Sequence, residues 1–140
     1  MSRPPYRIIE HTADIGIEVF ASTLGDLFSN AAFALSDQIT DASRLEKKLS
    51  RSIELRAGRM DELLHLWLSE LVYLFDTQHW VSKTAEILEI SATHVKAVVW
   101  GEPFDPSRHE RRYEIKAVTL HGLEVKQENG GWRARVLFDI

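Results

Sequence analysis

The chain has 140 residues, 44% of them hydrophobic and 27% charged, with no cysteine. That composition supports one compact core over residues 1–140 and excludes a largely disordered or fibrous chain, disulfides, thiolate metal sites and a cysteine nucleophile. With 17 Lys plus Arg against 21 Asp plus Glu, the formal net charge is -4, which argues against a stand-alone nucleic-acid binder held by counterion release. The start, MSRPPYRIIEHTAD, has no signal-peptide core, and no apolar run approaches the roughly 18 residues of a membrane span, so a cytoplasmic protein is the expectation.

Tyr6 to Ile9 and Ile15 to Phe20 read as strands. In the second, Ile15, Ile17 and Val19 alternate with Gly16, Glu18 and Phe20, and the polar segment His11 to Asp14 forms a bend or strand end before it. Thr23 and Asp26 have the spacing of a helix capping box. The helix it opens runs to near Thr40, burying Leu24, Leu27, Phe28, Ala31, Leu35 and Ile39 on one face. Leu49 to Ala57 alternates as a strand with one solvated face. Asp61 and Glu62 favour the positive end of a second, long helix, whose Leu63, Leu64, Trp67, Leu68, Leu71, Leu74 and Phe75 form an apolar face to lie across a sheet. Trp67, Tyr73 and Phe75 are read as core. Ile87 to Ile90 and His94 to Trp100 suggest a hairpin, and Gly101, Pro103 and Pro106 then enforce a loop. Tyr113 to Leu120 and Leu123 to Lys126 read as strands broken at His121 and Gly122. Asn129-Gly130-Gly131 turns the chain into a last strand from Trp132 to Phe138. Helices do not alternate regularly with strands, which predicts a single α+β domain: a mostly antiparallel or mixed β-sheet with two main helices packed on it.

Three groups stand out as hard oxygen donors. Asp139 offers a side-chain carboxylate and Ile140 a main-chain carboxylate one residue later. Asp14, in the bend before IGIEVF, is the best candidate for a third. Calcium, magnesium or manganese would offset their repulsion; taken singly, Asp139 and Ile140 read better as a solvated end and Asp14 as an Asx turn or strand cap. His11, three residues before Asp14, suits a supporting hydrogen bond, and His121 at the strand break is a ligand, a base or a packed residue. His65, His79 and His94 have no partner at ligand spacing and read as surface or boundary positions. The segment GEPFDPSRHERR, with Asp105, Arg108, His109, Arg111 and Arg112, is either a recognition loop or a solvated one. No Ser-His-Asp order, Gly-x-Ser-x-Gly elbow, phosphate-cradling Gly-rich loop or zinc helix is present.

Taken together, HTADIGIEVFASTLGDLFSNAAFAL, ELLHLWLSELVYLFDT, GEPFDPSRHE, KAVTLHGLEV and the ending GWRARVLFDI resemble the archease family over essentially the whole chain. The resemblance implies a small α+β accessory protein of the RtcB-type RNA ligase, which joins tRNA halves in splicing and RNA ends in repair. Such a factor promotes guanylylation and multiple turnover of the ligase without being an enzyme itself. It further implies a divalent cation, calcium in family structures with magnesium or manganese as alternatives, held by Asp14, Asp139 and the carboxylate of Ile140. His11 and His121 are then supporting residues, and Asp105, Arg108 and His109 are candidates to meet the partner. No membrane and no strong independent nucleic-acid binding are expected. Two other readings stay open from the residues alone: a metal-dependent phosphoester hydrolase, and a chaperone-like protein-binding module.

Overall fold

The computed structural model describes residues 5–10 and 14–140. Among these, the elements in chain order are β1 (Tyr6–Glu10), β2 (Asp14–Ala21), α1 (Leu24–Ile39), β3 (Leu49–Arg56), α2 (Met60–Gln78), β4 (Trp80–Ile90), β5 (His94–Pro103), β6 (Ala117–Val118), β7 (Glu124–Glu128) and β8 (Gly131–Asp139). A short 3-10 turn lies at Ala42–Arg44. All strand pairs are antiparallel, and they form two sheets rather than one: β1-β2-β8-β6, with β7 also on β8, and β3-β5-β4.

Both helices touch both sheets, so one core joins the whole molecule. Ile15, Ile17, Val19, Ala134, Val136 and Phe138 enter it from the first sheet, and Ile53, Val95, Ala97 and Val99 from the second. Phe28, Leu35, Trp67 and Leu68 enter it from the helices. Trp67 is fully buried and donates its indole N–H to the Phe28 carbonyl at 2.9 Å, which satisfies the one polar atom of the ring. The start of α1 follows the sequence expectation: Thr23 is extended, and its hydroxyl accepts from the Asp26 N–H at 3.1 Å. The end of α2 is a left-handed His79 at φ 54, whose N–H closes onto Phe75 O at 2.8 Å.

Four sequence expectations are corrected. Gly101 and Pro103, expected to enforce a loop, are paired residues at the end of β5. Of Tyr113 to Leu120, only Ala117–Val118 is strand; the N–H groups of Arg112 and Tyr113 go to Ile39 O and Gln38 O at 2.9 Å, the open carbonyls at the end of α1. The fourth strand begins at Trp80, seven residues before Ile87, because Trp80 and Val81 are buried strand residues paired with Pro103 and Glu102. Tyr73 is 58% exposed, since it falls on the side of α2 opposite the stripe from Leu63 to Phe75.

Candidate functional site on the outer face of the first sheet

Period-two alternation decides which residues share this face. Since Ile15, Ile17 and Val19 point into the core, Asp14, Gly16, Glu18 and Phe20 point outward from β2. By the same logic β8 buries Ala134, Val136 and Phe138 and turns Arg133, Arg135, Leu137 and Asp139 outward. The β2–β8 register then sets Asp14 directly against Asp139, Gly16 against Leu137, Glu18 against Arg135 and Phe20 against Arg133. Two carboxylates 125 positions apart in the chain are thereby brought to one place on one face. Cβ atoms of directly opposed residues lie about 4.5–5.5 Å apart, and like charges so placed destabilise the pair. Ile140 follows at the edge of the same strand, 39% exposed. The Asp139 carbonyl is tied down by the Lys116 N–H at 2.8 Å, and Ala117 pairs with Asp139 from the other side.

Leu137 is 1% exposed although it faces outward. The turn holding His121 and Gly122 passes over it: a Cβ on Gly122, at φ 66, would lie 3.9 Å from both Leu137 Cδ1 and Arg135 Nε. This brings His121 to the face that carries Asp14 and Asp139. His11 lies outside the described residues. Among the described residues, no three His, Asp or Glu side chains sit at metal-ligand spacing.

Further along the face is an ion-pair network. Arg133 reaches Glu124 at 2.7 Å, Glu128 at 2.8 Å and Glu18 at 3.4 Å, and Arg7 holds Glu18 at 2.6 Å. The hydrogen bond from Arg133 holds the Glu124 carboxyl below the usual range.

The loop after β5 folds around a residue that sequence reasoning missed. Glu102 is fully buried. It takes a hydrogen bond from Arg108, the Glu46 N–H at 2.7 Å and His109 Nε2 at 3.2 Å, with Lys48 at 3.6 Å. His109 Nδ1 accepts the Asp105 N–H at 2.9 Å, so its other nitrogen carries the proton that Glu102 receives. Burial opposes the Glu102 charge, but the hydrogen bonds of Arg108 and Glu46 N–H and the adjacent charges outweigh it and hold the carboxyl below its ordinary value. Of the three loop residues expected to meet a partner, His109 is 3% exposed and faces inward, and Arg108 is bound to Glu102 and Asp105. Asp105 accepts from Ser107 and remains at the surface. A charged residue between Gly101 and Pro103, with Arg and His six and seven positions on, was the available signal for this cluster.

A second polar tie was also not foreseen. Asp37 of α1 accepts from the Tyr6 hydroxyl and the Ala42 N–H and pairs with Arg112 at 3.3 Å, pinning β1, the 3-10 turn and the loop to one helix.

Residues 6–140 match the model of the Archease protein family (MTH1598/TM1083). Protein archease of Methanopyrus kandleri is 39% identical over 139 residues, covering 97% of this chain and 99% of that protein. Protein archease of Methanosarcina acetivorans is 38% identical, covering 96% and 95%. The solution structure of protein 1598 from Methanobacterium thermoautotrophicum superposes with a TM-score of 0.81 at 33% identity, covering 99% of this chain and 100% of that one. An archease from Thermotoga maritima shares the fold, with a TM-score of 0.67 at 20% identity. By whole-length sequence and by fold, this chain belongs to the archease family.

Proposed function

We propose that this archease-family protein is an accessory factor of an RtcB-type RNA ligase in tRNA splicing and RNA repair, that it promotes guanylylation and multiple turnover of that ligase, and that it is not itself an enzyme. The observation that carries the reading is the facing of Asp14 and Asp139 across β2 and β8. Two opposed carboxylates make an all-oxygen donor set that, in a chain without cysteine, suits calcium, magnesium or manganese. The carboxylate of Ile140, next to Asp139, is the third donor in this reading, with His121 on the neighbouring turn as support. When bound, the ion supplies positive charge where phosphate oxygens gather charge in transfer. The chain's own residues hold and aim it: antiparallel pairing fixes both aspartates, and the net charge of -4 favours approach to a basic, RNA-binding surface.

Ligation time courses with substoichiometric cognate ligase test the proposal. Added protein should restore multiple turnover and speed guanylylation; no change in either refutes it. The metal is checked by calcium titration. At 100 times its dissociation constant, calcium should stabilise the fold by about 2.7 kcal/mol, a rise of about 9 °C for a chain of this size. Asp139→Asn, and a chain extended by one residue beyond Ile140, should lose that rise. Phosphoester hydrolysis by the isolated protein, lost in Asp14→Asn, would replace this reading with the hydrolase one.

A further inference from the structure

The strands β1, β2, β7 and β8 place four cations on the outer face of the first sheet: Arg7, Lys126, Arg133 and Arg135. Three are paired: Arg7 with Glu18, Lys126 with Glu124, and Arg133 with Glu18, Glu124 and Glu128. Arg135 has no ion pair among the described residues, although its register partners on either side are Glu18 and Glu124. Both carboxylates pair with Arg133, their diagonal neighbour, so Arg135 is the one of these four cations without an ion pair among the described residues. That side chain is half-buried, and its Nε lies beside the Gly122 turn that also touches Leu137. It therefore leans along β8 toward Asp139. At about 3.4 Å per residue, Arg135 and Asp139 have α-carbons about 13 Å apart on one face, with Leu137 covered between them.

We infer that Arg135 is a phosphate anchor, binding one end of a polyanionic ligand whose other end meets the cation at Asp14 and Asp139; this rests on the metal reading above. Hard cations held by a few carboxylates complete their shells with phosphate oxygens, and a guanidinium fork matches phosphate with two parallel hydrogen bonds. A ligand that satisfies both positions carries anionic oxygens at two separated points, as a polyphosphate chain or successive phosphates do. Because Arg135 anchors no carboxylate of its own, its removal leaves the folded network intact.

The experiment is calorimetric titration of the full chain with inorganic tripolyphosphate in calcium, for wild type, Arg135→Gln and Arg135→Lys. Tripolyphosphate affinity should fall about tenfold or more in Arg135→Gln and less in Arg135→Lys, which keeps the charge but loses the fork. Calcium affinity measured alone should stay unchanged in both variants. Competition by a nucleoside triphosphate or by an oligoribonucleotide with a terminal phosphate then identifies the natural source. Equal tripolyphosphate binding in wild type and Arg135→Gln overturns the inference, as does calcium binding without any tripolyphosphate binding. Failure of calcium itself to bind the wild type overturns the metal reading, and Arg135-dependent tripolyphosphate binding without calcium supports the anchor alone.

Discussion

Replacing Glu102 with Gln keeps the side-chain volume and removes the charge near the end of β5 around which the following loop folds. Glu102 has 1% side-chain exposure, whereas its main cation Arg108 has 41%. Breaking a fully buried pair costs about 3–5 kcal/mol, but Arg108 regains water, which places its share at the low end of that range. The Glu46 N–H and the His109 Nε2–H compete for the one amide oxygen that remains, and a buried donor left unmatched costs about 1–3 kcal/mol. A net loss of about 4 kcal/mol follows, or about 14 °C in Tm for a chain of this length. The pH dependence separates this cause from simple misfit. Because the folded carboxyl lies below its ordinary value of 4.5, the stability it contributes is present above about pH 4.5 and is lost as pH falls through the folded pKa. Urea denaturation of wild type and Glu102→Gln should therefore show a constant gap above that pH and a shrinking one below it. A gap under about 0.5 kcal/mol at neutral pH, or one that persists unchanged into acid, refutes the account of Glu102 as the charged keystone of the loop.

Two further outcomes follow from local geometry. Gly101→Ala places a Cβ 1.9 Å from the Val81 carbonyl oxygen, so β4 and β5 cannot keep their register. The loss should reach about 3 kcal/mol or more, and a denaturation midpoint matching wild type refutes it. Burial first, then the hydrogen bond and charge of Asp37, push the Tyr6 phenol up to about 12 from 10.0. Its stabilisation is thus complete below pH 10 and lost as pH rises through about 12. Phenolate absorbance should show one late-titrating tyrosine that Tyr6→Phe abolishes, and an unchanged late titration in that variant counts against the assignment.

Some of this was legible from side-chain pattern alone. The Thr23 cap, the apolar stripe of α2 and the alternation of β2 and β8 are local properties, since a hydroxyl three residues from an N–H, or a repeat of two or 3.6, needs no distant partner. The archease resemblance rests on the same linear order, and the family match over residues 6–140 bears it out. Other features are non-local. The β-rich run from Tyr113 loses most of its strand because the open carbonyls of α1 take its N–H groups, a competition that depends on where α1 ends in space. Glu102 reads as an ordinary loop acid until Arg108, His109 and the Glu46 N–H close around it. The sequence by itself determined the helices, the strand faces and the acidic residues at Asp14 and Asp139. Tertiary structure decided the division into two sheets, the register that opposes those two aspartates, and the diagonal pairing that leaves Arg135 without an ion pair among the described residues. The physical reason is common to all three: periodicity fixes which way a side chain points, while register and charge competition between strands far apart in the chain fix what it meets.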